Sequence, residues 1–110
     1  MREAITAVVA RGDTWSGVVA SEPYEVAWAG EAVIYLRSLG AEGRPEQARA
    51  WVQISPDGLR WVDEGSMLPI PRVDEISSIR IRNFGTYLRV MTVLPEGSSF
   101  KALLTISLKE

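Results

Sequence analysis

The feature that most limits what this chain can become is an alternation of apolar and polar residues with a period of two. From Phe100 onward, Phe100, Ala102, Leu104, Ile106 and Leu108 take every second place, between Lys101, Leu103, Thr105, Ser107 and Lys109. Ile5, Ala7 and Val9, then Tyr24, Val26 and Trp28, then Ala48, Ala50, Val52 and Ile54 repeat the pattern. In an extended strand successive side chains point to opposite faces, so this period describes strands with one buried face. No window of eleven or more residues sustains the 3.6-residue period of an amphipathic helix.

Turn chemistry punctuates these runs at short, fairly regular intervals. It falls at Arg11-Gly12-Asp13, Ser21-Glu22-Pro23, Gly30-Glu31, Gly40 to Pro45, Ser55-Pro56-Asp57-Gly58, Gly65 to Pro71, Asn83-Phe84-Gly85 and Pro95-Glu96-Gly97. Eight or nine short strands result, over about 3–10, 14–20, 23–29, 32–39, 48–55, 59–64, 75–82, 86–94 and 99–109. Many short strands at such spacing predict an all-β fold, here one antiparallel β-sandwich of jelly-roll type spanning 1–110. One helical turn is expected at Arg44 to Ala48, with Pro45 at its first position. The expected core is Val26, Ile34, Leu36, Val52, Ile54, Ile79, Ile81, Leu88, Val90, Phe100, Leu104 and Ile106.

Composition then removes function classes. The 110 residues include no Cys and no His. Disulfides, thiolate nucleophiles and sulfur-ligated zinc are therefore impossible, and the usual general base and commonest metal ligand are missing. Lys and Arg number 12 against 14 Asp and Glu. That balance offers no basic surplus for neutralising phosphates, so no nucleic-acid partner is expected. The apolar stretch Ala4 to Ala10 is too short for a membrane span and lacks the form of a signal peptide, so no membrane partner is expected and synthesis in a cytoplasm is. The carboxylate pairs Asp63-Glu64 and Asp74-Glu75 are sequence neighbours whose side chains diverge on a strand. Ser16 and Ser66 lack a nucleophile elbow, and no phosphate loop or calcium loop is present. The expectation is a protein without catalytic residues, cofactor or metal.

Two clusters remain as candidate contact surfaces. Pro56, Asp57 and Gly58 suit a three-residue hairpin loop in which Gly58 takes a positive φ. That loop pairs Ser55 with Leu59, Gln53 with Trp61 and Val52 with Val62. Trp51 and Trp61 then share one face, rimmed by Arg49 and Gln53, while Ala50, Val52, Ile54 and Val62 occupy the other. An apolar centre with a polar rim is how protein–protein contacts are built, and Trp is prominent among the residues that dominate their energy. The second cluster is a basic strip of Arg80, Arg82 and Arg89, with Tyr87 beside Arg89.

The hairpin Ser55-Pro56-Asp57-Gly58-Leu59-Arg60-Trp61, with Tyr87-Leu88-Arg89-Val90 following, resembles the discoidin-type jelly rolls over about Gln53 to Val90. That resemblance implies a carbohydrate- or cell-surface-binding module acting through loops at one end. A broader resemblance, over about Ser16 to Lys109, is to short virion proteins of tailed phages and prophages. It rests on Ser21-Glu22-Pro23-Tyr24-Glu25-Val26, Glu31 to Leu36, the same hairpin, Gly85 to Val90 and Ser99 to Leu108. It implies a virion-located capsid decoration or tail-associated protein that contacts the major capsid protein or another virion protein. By analogy it also implies a homo-oligomer, a trimer. The charged loop Gly40 to Gln47 departs from that pattern.

Overall fold

The computed structural model describes residues 3–82 and 84–110. Met1, Arg2 and Asn83, the last being the first residue of the turn expected at Asn83-Phe84-Gly85, lie outside the described residues. The strands are β1 (Ala4–Ser16), β2 (Val18–Ala20), β3 (Tyr24–Glu25), β4 (Glu31–Glu42), β5 (Arg49–Ser55), β6 (Val62–Pro69), β7 (Ile76–Arg82), β8 (Tyr87–Val93) and β9 (Ser99–Lys109). A 3-10 turn, Pro45–Gln47, lies where the helical turn was expected.

These strands form two antiparallel sheets. The first has the order β1-β9-β4-β7; in the second the order is β2-β8-β5-β6, with β3 also on β8. β2 and β3 act as two pieces of one strand broken at Ser21-Glu22-Pro23. Ser21 spans the break: its N–H donates to the Val90 carbonyl at 2.8 Å, and its Oγ accepts from the Val90 N–H at 2.9 Å. With that pair counted as one, each sheet interleaves strands from both halves of the chain, which is the jelly-roll arrangement.

The inner faces meet in a core built on the alternation. In β9, Phe100, Ala102, Leu104, Ile106 and Leu108 are all buried. Ten of the twelve residues expected in the core are buried; Ile54 and Ile79 are only half-buried, at the margin of the cluster. Trp15 is 3% exposed and packs edge-to-face on Phe100, with ring centroids 5.6 Å apart. It was not expected there, because Gly12 hides its phase.

Several boundaries differ from expectation, and glycine is the main reason. Arg11-Gly12-Asp13 is no turn: β1 runs through it, Gly12 at φ +87° marks one of two register shifts, and the outer edge strand bends there. The strand expected over 14–20 is divided at Gly17, which has φ +61°. The strand over 23–29 shrinks to Tyr24–Glu25, leaving Trp28 outside it. Gly65 to Pro71 is mostly strand, since β6 continues to Pro69 across a bulge at Gly65, φ +113°.

Candidate functional site

The hairpin between β5 and β6 is wider than a three-residue loop. Gln53 pairs with Asp63 and Ile54 with Val62, so the connection runs from Ser55 to Trp61. Its tip still uses Pro56-Asp57-Gly58, with Gly58 at φ +77°. Ser55 Oγ accepts from the Asp57 and Gly58 N–H groups at 3.2 and 2.8 Å, and Asp57 Oδ1 accepts from those of Leu59 and Arg60 at 2.8 and 2.9 Å. The N–H of Arg60, then that of Leu59, hold the Asp57 carboxyl down from 3.8 to about 2. These side-chain acceptors replace ladder bonds and let the loop widen past the expected register.

The shift corrects two placements. Trp61 is not on a strand, and Val62, expected on the buried face, is 59% exposed at the sheet's end. Ala50 and Val52 are buried as expected, and Trp51 projects from the opposite, outward face together with Arg49 and Gln53.

That outward face is organised in rows. The central one reads Ala20, Met91, Trp51, Met67 from β2 through β8 and β5 to β6, each paired with the next. Four strands in register make it about 14–15 Å wide. Val18 and Val93, paired directly, extend it on one side, and Val18 is 70% exposed. On the other side lies a polar row of Arg89, Gln53 and Asp63. Arg89 Nε donates to Gln53 Oε1 at 2.8 Å, and Gln53 Nε2 donates to Asp63 Oδ1 at 3.1 Å. The Arg89 guanidinium lies over the Trp61 ring, its carbon 4.2 Å from the ring centroid, so Trp61 rejoins this face without being on a strand. Burial lowers the Arg89 pKa, yet an arginine so held stays charged. Tyr87 ends this face, paired with Ser55, and its ring lies 3.6 Å from where a Cβ on Gly58 would sit.

Six of the eight candidate residues therefore share one face: Arg49, Trp51, Gln53, Trp61, Tyr87 and Arg89. The other two do not join them. Arg80 and Arg82 lie on β7 in the first sheet, whereas Arg89 lies on β8 in the second, so the expected basic strip is divided between the sheets. A strip drawn through the Asn83-Phe84-Gly85 turn assumed a hairpin, but β7 and β8 cross from one sheet to the other. Ala20, Met67 and Met91 were missed. Met91 and Met67 reach the row only through pairing, which no local pattern reveals.

No protein-family model matches the chain, and no curated protein matches it. Among solved structures, it aligns with the SPBc2 prophage-derived protein YomS at TM-score 0.62 and 6% identity, covering 100% of this chain and 96% of YomS. It aligns with the PBSX exported protein XepA at TM-score 0.57 and 8% identity, covering 98% of this chain and 36% of XepA. The chain thus spans about a third of XepA but nearly all of YomS. At such identities the likeness is one of fold.

Proposed function

We propose that this chain is a non-enzymatic structural protein of a tailed-phage or prophage particle, a capsid decoration protein that works by protein–protein contact. The single observation that carries the contact reading is the apolar row Ala20–Met91–Trp51–Met67, bordered by the Arg89–Gln53–Asp63 chain. Aromatic, Met and Arg residues beside hydrogen-bonded polar groups match the composition of a protein interface. The prophage origin of YomS, which matches along nearly its whole length, supports the phage reading. The partner is the major capsid protein, another virion protein or a second copy in a homo-oligomer. The test is mass spectrometry of gradient-purified particles from the encoding phage or prophage. A fixed copy number per particle, reduced by Trp51→Ala, is expected; purified particles without the protein defeat the proposal.

A second reading has one observation in its favour. Trp61 lies at the end of the Ser55–Trp61 loop, off the strands, with Tyr87 against the same loop, and glycan-binding modules use aromatic rings at such loop ends. Saturable glycan binding that Trp61→Ala abolishes puts this reading first.

A further inference from the structure

The outer face of the first sheet, opposite the Trp51 face, collects charge of one sign. Arg11, Arg37, Arg80, Arg82, Lys101 and Lys109 all project from it by register. These are six of the chain's twelve cations, against Glu31 and, at the far end, Glu42 among its fourteen carboxylates. The remainder of a chain with net charge −2 is correspondingly acidic. Little internal pairing offsets the cations. Arg82 reaches Glu31 at 3.8 Å, and Arg37 reaches Asp74 from the rim at 3.5 Å. Among the described residues, Arg11, Arg80, Lys101 and Lys109 have no ion-pair partner. Arg80, Arg82 and Lys109 line a shallow concavity of about 460 Å³ together with Glu31, Val33 and Tyr35.

We infer that this face docks an acidic patch on another protein. Charge complementarity sets the sign of the partner, and it excludes a two-fold contact of the face with itself, because like charges would be opposed. Two observations favour a protein over a phosphate polymer. Large apolar side chains are exposed beside the cations, Tyr35 at 40% and, next to Arg37 at the sheet edge, Ile76 at 62%, and a folded partner can cover them. A polymer overrunning the face meets Glu42 at one end and Glu3 and Glu110 beyond Lys109 at the other, whereas a bounded contact can stop short of these acids. The inference concerns the face opposite Trp51 and does not depend on what binds there.

The experiment is amide chemical-shift mapping on the full chain with three probes at matched salt: a Glu-rich peptide containing Leu and Tyr, inorganic polyphosphate, and a single-stranded oligothymidine. The peptide is expected to shift amides around Val33, Tyr35, Arg80 and Ser107, with an affinity that falls as salt rises. Arg80→Glu/Arg82→Glu is expected to weaken it by roughly tenfold or more. Arg44→Glu/Arg60→Glu, which changes net charge equally away from this face, is expected to leave it nearly intact. Thermal unfolding of both variants verifies that they fold. The inference is overturned if the peptide shifts only the Trp51 face or nothing, if the two double variants weaken it equally, or if polyphosphate or oligothymidine binds this face more tightly than the peptide.

Discussion

The two outer faces of this sandwich rest on the same kind of scaffold and differ in how their polar groups are paired. The β2-β8-β5-β6 face carries an apolar row and a hydrogen-bonded polar chain that ends in Arg89 over Trp61. On the β1-β9-β4-β7 face, cations are scattered among hydroxyls and isolated apolar side chains, and most are unpaired. The inner positions of both sheets are mostly aliphatic, with Trp15 and Phe100 among them, and are set by the need to bury area. The outer positions have no such constraint, so their difference is where information about partners resides. A face whose polar groups already satisfy one another loses little on desolvation and suits a dry contact. A face of unpaired cations suits encounter with opposite charge.

Outward residues should not hold the frame, and a frame residue sets the scale for that. Trp15→Ala removes a buried indole and its edge-to-face contact with Phe100, and about 3–5 kcal/mol of stability should be lost in denaturant unfolding. Gly43→Ala comes next. A Cβ there lies 2.6 Å from the Gly97 carbonyl oxygen at φ +69°, and the strain should cost about 1–3 kcal/mol, although neither face is touched. Gln53→Ala should cost about 1 kcal/mol and be non-additive with Arg89→Ala in a double-mutant cycle, because both belong to one chain of hydrogen bonds. Additive effects show the polar row to be incidental.

The smallest effect is electrostatic and local. The folded Asp57 carboxyl titrates near 2, below its ordinary 3.8, so the unfolded chain takes up the proton first as pH falls. Its stabilisation is full above about pH 4 and is lost as pH drops through about 2. The difference in melting temperature between wild type and Asp57→Asn should hold steady from neutrality to about pH 4, then close. A gap that persists at pH 2 contradicts the assignment.

Much of the fold was legible because alternation is a local property. The inner row of β9 and the Pro56-Asp57-Gly58 tip could be read directly, and so could the turn at Pro45. What escaped was set by non-local pairing or by glycine in two roles. Gly12 and Gly65 mark bulges inside strands, whereas Gly17 divides one, and the residue type alone does not say which. The two-residue slip of Trp61 follows from Ser55 and Asp57 capping a wider loop. Trp51, Gln53 and Arg49 were legible as one outward row since they share a strand. Their neighbours Met67 and Met91 were not, because strand order decides who stands beside them.

Whether Trp51 serves another molecule or its own fold is decided by one variant. Trp51→Ala should be examined as the isolated protein by thermal unfolding and by sedimentation against its partner. A folded protein with near-normal melting and association weakened by about 2 kcal/mol or more is expected. A variant that loses about 3–5 kcal/mol of its own stability, as a core aromatic would, places Trp51 among the residues that hold the frame and contradicts the contact reading.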